Sequence, residues 1–319
     1  MLDIHELARD AQPRICPHIR RTPLEPAADL GRENGGRVFF KLESVQHTGS
    51  FKVRGALNRL LALDENERKA GVVTASSGNH GLATAFGMDR LGIEGTIYLP
   101  ENASPLKVRM LEDLGARVRF HGADCDQTEA HARRQAEKTG RVYISPYNDP
   151  LVIGGQGTIG LEILEQLPTV DCILASVGGG GLISGIAGVV KAVAKKVTVV
   201  GCLPENSPAM AVSVRAGRIL DVPMQATLSD GTAGGIEPDA VTFDACRTLV
   251  DDWQLVTEAE IRRAMVRVFQ NHRLVIEGAA AVAVAGFLKM ASRLKGMSVA
   301  VVICGRNIDA NLFTRIICV

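Results

Sequence analysis

The stretch Gln46-His47-Thr48-Gly49-Ser50-Phe51-Lys52-Val53-Arg54-Gly55-Ala56 sets one lysine between two apolar neighbours, directly after the turn-forming run Thr48-Gly49-Ser50. A lysine held in dry surroundings loses the hydration that favours its ammonium. Its pKa then falls and its amine becomes a usable nucleophile or base, which is what an imine-forming lysine needs. A solvated surface charge is the plainer reading of any single lysine, so the flanking sequence has to separate the two.

A chain of 319 residues can bury one large core or two modest ones, and a cleft between two α/β lobes is a natural place for a small ligand. Lys and Arg number 36 against 35 Asp and Glu, a balance that offers no overall field to nucleic acid or to an acidic membrane surface. The seven cysteines, Cys16, Cys125, Cys172, Cys202, Cys246, Cys304 and Cys318, are odd in number, scattered and free of any Cys-x-x-Cys pair. Reduced thiols in a cytoplasmic protein fit them better than a zinc or disulfide framework. The N-terminus, Met1-Leu2-Asp3-Ile4-His5-Glu6-Leu7, lacks the basic start and apolar run of a secretory signal. The longest apolar run, residues 279–288, falls far short of the roughly twenty residues of a spanning helix and reads as a buried core helix.

Outward from Lys52, the alternating segment Val38-Phe39-Phe40-Lys41-Leu42-Glu43 predicts a strand that delivers the chain to the lysine turn. Residues 4–19 form an amphipathic helical pattern ending near Pro17, and residues 54–63 form another with Leu57, Leu60 and Leu61 on one face. After a charged boundary at residues 64–69, Gly71-Val72-Val73-Thr74-Ala75 reads as a strand that runs into Ser76-Ser77-Gly78-Asn79-His80-Gly81 and an Ala-rich helix over 82–91. Backbone amides at such a helix start can receive a carboxylate or phosphate, although an ordinary N-capped turn would use the same residues. Strands over 93–99, 117–121 and 141–144, alternating with helices over 104–114 and 126–138, continue the pattern of a parallel sheet.

Gly155-Gln156-Gly157-Thr158-Ile159-Gly160 matches G-x-G-x-x-G, with Asp171 downstream, and raises a dinucleotide-binding oxidoreductase as an alternative. Its context argues against that, because Pro146, Asn148, Asp149 and Pro150 precede it and only Leu151-Val152-Ile153 is available as a leading strand. Cys172-Ile173-Leu174-Ala175-Ser176-Val177 is a better strand, and it runs straight into Gly178-Gly179-Gly180-Gly181 before a helix beginning near Leu182. Successive amides without Cβ atoms can converge on a phosphate, and no Gly-Lys-Ser/Thr follows, so a phosphate that is held rather than transferred is expected. A turn that merely permits close packing is the other reading. Farther on, Ser229-Asp230-Gly231-Thr232-Ala233-Gly234-Gly235 is turn-rich, either a surface loop or a rim of the site. Thr257 with Glu260 predicts a capped helix through Asn271, and a strand over 299–303 ends at Cys304-Gly305-Arg306-Asn307.

Taken together, Thr48-Gly49-Ser50-Phe51-Lys52-Val53-Arg54-Gly55-Ala56, Ser76-Ser77-Gly78-Asn79-His80-Gly81, the four glycines and Cys304-Gly305-Arg306-Asn307 resemble the pyridoxal-phosphate-dependent threonine/serine dehydratases. The resemblance spans nearly the whole chain, including Gly155-Gln156-Gly157-Thr158-Ile159 and Ile276-Glu277-Gly278-Ala279. It implies an α/β, two-lobed tryptophan-synthase β-like fold, each lobe a twisted, mainly parallel sheet flanked by helices. Residues 1–66 with 146–319 would form the large cofactor-binding domain and residues 67–145 a small mobile one. It also implies a homodimer.

By that resemblance Lys52 would carry pyridoxal 5'-phosphate as an imine and later act as general base. Phe51 would pack beside the ring, Asn79 would hydrogen-bond its hydroxyl, and Gly178, Gly179, Gly180, Gly181 and Leu182 would bind the phosphate. Ser76, Ser77, Asn79 and His80 would line the substrate-carboxylate site. Cys304 would face the ring nitrogen, where a thiol cannot donate a proton as a carboxylic acid does, a restrained electron sink suited to β-elimination of water with release of a 2-oxo acid and ammonia.

Departures from the family pattern shape the remaining expectations. Leu203 and Ala209 stand where metal-activated relatives carry carboxylates, so no activating metal is expected at that loop. Arg306 replaces a usual glycine and is expected to narrow the site or to recruit a substrate group. The chain stops soon after Asn307, so feedback control by an end-product amino acid is not expected. L-Threonine and L-serine are the default substrates. A hydroxylated diamino acid, as in hydroxyectoine breakdown, is one alternative, and a serine/threonine racemase with Ser77 as second acid/base is another.

Overall fold

The computed structural model describes residues 2–318, apart from the side chains of Leu106, Cys125 and Asp126. The chain begins with α1 (Ile4–Ile15), β1 (Leu24–Pro26), α2 (Ala28–Asn34), β2 (Arg37–Lys41), α3 (Lys52–Leu61) and α4 (Glu65–Ala70). Next come β3 (Val72–Ala75), α5 (Asn79–Leu91), β4 (Gly95–Leu99), α6 (Pro105–Glu112), β5 (Arg117–Phe120), α7 (Cys125–Thr139) and β6 (Val142–Tyr143). The second half contains α8 (Pro150–Gln166), β7 (Cys172–Ser176), α9 (Gly181–Val193), β8 (Thr198–Pro204), α10 (Ala209–Ala216), α11 (Val241–Leu249) and β9 (Asp252–Val256). It closes with α12 (Glu258–His272), α13 (Gly278–Met290), β10 (Ser298–Val302) and α14 (Ala310–Ile317).

The strands pair into two sheets. A four-stranded sheet has the order β5-β4-β3-β6 and is parallel throughout. A six-stranded sheet has the order β1-β2-β10-β7-β8-β9 and is parallel except where β1 meets β2. Parallel neighbours need crossover helices, and those helices cover both faces of the sheet. Hence β7 and β10 are buried at every position, as their unbroken apolar runs predict. The main core gathers around the six-stranded sheet, with Ile173, Val200, Val282 and Val301 at its centre, and a smaller one around Val72, Ile97, Leu99 and Leu111 fills the other sheet. Ile15, Val53, Leu57 and Ala83 seal α1, α3 and α5 between them.

The G-x-G-x-x-G segment turns out to lie in the middle of α8. Residues 151–153 are helical, so no strand leads into these glycines and they form no nucleotide-binding turn. Their reason is close packing: a Cβ on Gly155 would come 2.6 Å from the Arg54 carbonyl oxygen, and one on Gly157 would come 2.8 Å from the Ala8 Cβ. The backbone of α8 is thus the surface on which α1 and α3 lie. The expected cap at Thr257 is present as a reciprocal box with Glu260. Asp64 and Glu67 form a second such box at the start of α4, within the stretch read as a charged boundary.

Beneath α3 lies a buried charge cluster. Arg54 donates to Glu43 (Nε to Oε2 2.8 Å, Nη2 to Oε1 2.9 Å) and to Glu162 (Nη1 to Oε1 2.7 Å), and also to the Thr158 hydroxyl at 3.1 Å. Lys41 donates to Glu162 at 2.5 Å, to the Thr22 carbonyl at 2.8 Å and to Gln166 at 2.9 Å. Burial alone would push the Glu162 carboxyl up, but Arg54 and Lys41 hold it below its ordinary range. Removing one member leaves a buried charge without its partner, which costs about 3–5 kcal/mol. Glu162→Ala is therefore expected to lose stability of that order, read by denaturant unfolding, whereas neutral surface substitutions on α7 leave the midpoint in place.

Candidate active site

The carboxyl ends of β7 and β10 and the first turns of α3, α5 and α9 converge on one cavity of 560 Å³. Ligands of open α/β sheets bind outside the carboxyl ends of the strands, where helix N-termini also point. Lys52, Phe51, Asn79, Gly178, Gly179, Gly180, Gly181, Leu182 and Cys304 all line this space, although they come from segments far apart in sequence.

Lys52 is the first residue of α3, and the turn before it is fastened to the end of β10. Ser50 bridges Gly305, and the Phe51 amide donates to the Cys304 carbonyl at 3.0 Å. The Lys52 Nζ donates to the Pro146 carbonyl at 2.7 Å. Burial lowers the lysine to about 8, against the opposing pull of Cys304, Glu277 and Glu129. Cys304 receives a hydrogen bond from the Ser176 hydroxyl at 3.4 Å, and burial pushes its thiol well above the usual range, so it stays protonated at neutral pH.

The four glycines form an open cradle. Gly180 sits at φ 89° as the N-cap of α9, with no side chain capping that helix. Among the described residues no acceptor takes up the amides of Gly178, Gly179, Gly180 or Gly181. A Cβ on Gly179 would come 2.6 Å from the Tyr147 ring, and one on Gly178 would come 3.0 Å from the Thr232 backbone. Thr242 donates to the Gly179 carbonyl at 2.6 Å and fixes the loop from below.

Ser76, Ser77 and His80 are not among the lining residues. Ser76 accepts the Gly78 amide at 3.2 Å, and Ser77 is half-buried beside it. His80 is buried with its Nε2 2.9 Å from the Ile144 carbonyl, and burial together with the Lys52 charge lowers it to about 3, so its ring is neutral and tied to the end of β6. Arg306 is exposed and lies outside the cavity wall, and its backbone is engaged at both ends: the amide donates to the Gly49 carbonyl at 2.9 Å and the carbonyl accepts from the Ile308 amide at 2.9 Å. The expectation that it narrows the site is thus not met, because the chain turns its side chain to solvent.

Four lining residues, Glu277, Glu129, Arg133 and Glu237, were given no role by the sequence. Glu277 reaches Asn79 from the start of α13 (Nδ2 to Oε1 2.8 Å). Arg133 of α7 pairs with Glu129 at 2.8 Å and, across the cavity mouth, with Glu237 at 2.9 Å. Residues 231–237 line the cavity, so the turn-rich segment forms a rim, and Asp230 lies 3.5 Å from Lys107 of α6. The i, i+4 spacing of Glu129 and Arg133 on a helical segment is the one local signal from which that pair could be read.

This convergence of a lysine of lowered pKa, a free-amide glycine cradle and a neutral thiol on a parallel α/β scaffold defines a site for a phosphate-bearing carbonyl cofactor. The chain belongs to the family of pyridoxal-phosphate-dependent enzymes, which it matches over residues 15–305. It is 43% identical over 309 residues to an L-threonine ammonia-lyase of Thermotoga maritima, covering 97% of this chain and 77% of that protein. Among solved structures it superposes on maize serine racemase with a TM-score of 0.92 at 34% identity, covering 98% of this chain and 95% of that one. It also superposes on the processed form of threonine deaminase isoform 2 from Solanum lycopersicum with a TM-score of 0.93 at 32% identity, covering 98% and 92%. The fold is that of these relatives, mainly parallel sheets flanked by helices.

The residues present fit the family's cofactor: the cradle offers unpaired amides where a phosphate belongs, and the amine stands in the same cavity. Only the free amine attacks a carbonyl, and below about pH 8 Lys52 is mostly ammonium. Coupling of pyridoxal phosphate to the cofactor-free protein should therefore accelerate as pH rises through about 8, followed by growth of visible absorbance. Gly179→Ala, which crowds Tyr147, should weaken cofactor binding by about tenfold or more at equilibrium while far-ultraviolet dichroism stays unchanged.

Proposed function

We propose that the chain dehydrates a β-hydroxy amino acid of the threonine/serine type, releasing a 2-oxo acid and ammonia. The observation that carries this reading is the pairing, in one cavity, of Lys52 with the protonated thiol of Cys304. The names of the ammonia-lyase and deaminase relatives support it. When bound, the cofactor supplies a sink for the charge left on Cα after proton removal. Lys52 takes that proton at Nζ, the β-hydroxyl takes up a proton and leaves as water, and the enamine released tautomerises and is hydrolysed by water to the 2-oxo acid and ammonia.

The remaining residues bind and orient in this reading. Gly178, Gly179, Gly180, Gly181 and Leu182 hold the phosphate through amides, Phe51 packs beside the ring, and Asn79 faces its hydroxyl. Ser76, Ser77, Asn79 and His80 receive the substrate carboxylate, His80 through its backbone amide because its ring is occupied with Ile144. Two units, residues 1–66 with 146–319 and residues 67–145, close on the substrate. The separate sheets support that division, as do the Arg133–Glu237 and Lys107–Asp230 pairs that cross between them. We place the enzyme in the cytosol as a homodimer. Six free cysteines among the described residues favour a reducing compartment, and no helix there is long and apolar enough to cross a membrane.

A hydroxylated diamino acid is a second reading, favoured by the carboxylates of Glu129, Glu237 and Asp221 in the cavity wall, which would attract a cationic side chain. Incubation of cofactor-loaded protein with L-threonine, without added divalent metal, should release 2-oxobutyrate, and Lys52→Ala should release none. Faster turnover of the hydroxylated diamino acid in a parallel assay would exchange the two substrates. Interconversion of L- and D-serine without oxo acid would replace dehydration by racemisation.

A further inference from the structure

Glu277 is a buried carboxylate whose position helix capping does not explain. It occupies the N-cap of α13, yet its side chain caps nothing there. Instead it accepts hydrogen bonds from the Asn79 Nδ2 at 2.8 and 3.0 Å and from the Asn307 amide at 3.0 Å. Asn307 completes the clamp, because its Nδ2 donates to the Asn79 Oδ1 at 2.6 Å and to the Thr48 carbonyl at 2.8 Å. Both ends of the Asn79 amide are thereby assigned. Room for the carboxylate is made by Gly305, where a Cβ would come 2.5 Å from the Glu277 Oε1. The clamp joins the first turn of α5, which follows the four-stranded sheet, to the end of β10 in the six-stranded one.

We propose that Glu277 is a positioning residue for the cofactor ring: its hydrogen bonds to Asn79 fix the amide that faces the ring and lock α5 onto the β10 loop. The inference deepens the proposed function and rests on it. Burial pushes the Glu277 carboxyl up to about 7, against the hydrogen bond from Asn79. The titratable groups that face it are Asp230 from the rim, Lys52 from α3 and Cys304 from the end of β10. A carboxyl raised in the folded state binds a proton there that the unfolded chain releases at about pH 4.3. The contribution of this one carboxyl to stability is therefore fully present below about pH 4.3 and is lost as pH rises toward about 7.

The test uses Glu277→Gln, which keeps the volume but turns one acceptor into a donor that opposes the amides of Asn79 and Asn307. Titration of pyridoxal phosphate into the cofactor-free protein should show binding weakened about tenfold or more. The double variant with Asn79→Ala should bind no more weakly than Asn79→Ala alone, because the two side chains act as one unit. In the cofactor-free proteins, the melting temperature of wild type relative to Glu277→Gln should fall between about pH 5 and about pH 8. If Glu277→Gln does not fold, Glu277→Asp, which keeps the charge but withdraws it from Asn79, carries the same comparison. Binding within about twofold of wild type, or losses that add in the double variant, would overturn the inference. Failure of the wild-type protein to take up the cofactor would instead overturn the proposed function, and this inference with it.

Discussion

Arg54 is the fixed point of the molecule. Its guanidinium is fully enclosed and forked between Glu43 and Glu162, and Lys41 returns to the same Glu162. Buried ion clusters often add little net stability over apolar groups of the same volume, and the feature that matters here is the direction they impose on Arg54. Two residues apart on a helix lie about 200° apart around its axis, and they cannot face the same way. With Arg54 held inward against α8, Lys52 is turned to the opposite side, toward the Pro146 carbonyl and the cavity. The glycines of α8 serve the same end by letting α3 approach that helix backbone to backbone.

The cavity inherits a polarity from this arrangement. The first turn of α9, whose amides have no acceptor among the described residues, makes its side of the cavity positive, and Lys52 in the same wall adds positive charge when protonated. Glu129 and Glu237, bridged by Arg133, stand on the rim. Cys304 in the same cavity wall is neutral, because burial disfavours its thiolate. A ligand with an anionic phosphate and an electrophilic carbonyl matches that gradient, and a dinucleotide on α8 does not, since the amides there are spent inside the helix.

Much of this was legible in the sequence because it is local. The alternation from Val72 to Tyr143, the Thr257 cap, the glycine cradle and the apolar strands at Cys172 and Ser298 each announce themselves within a few residues. α11 and α14 escaped: α11 follows a long irregular loop, and α14 lies beyond the last motif. α8 was obscured because glycine, a poor helix former, is tolerated there only for contacts with distant segments. The Asn79–Glu277 clamp joins residues 198 apart in the chain, and a pairing at that range leaves no periodicity to read. His80 shows the converse, a motif residue whose ring the fold uses to pin Ile144.

The central claim is that Lys52, and no other lysine, carries the cofactor. Borohydride reduction of the protein after incubation with pyridoxal phosphate, followed by peptide mass mapping, tests it most directly. The account predicts a phosphopyridoxyl group on the peptide containing Lys52, in a ratio approaching one per chain. Modification spread over surface lysines, or an unmodified Lys52, would contradict it.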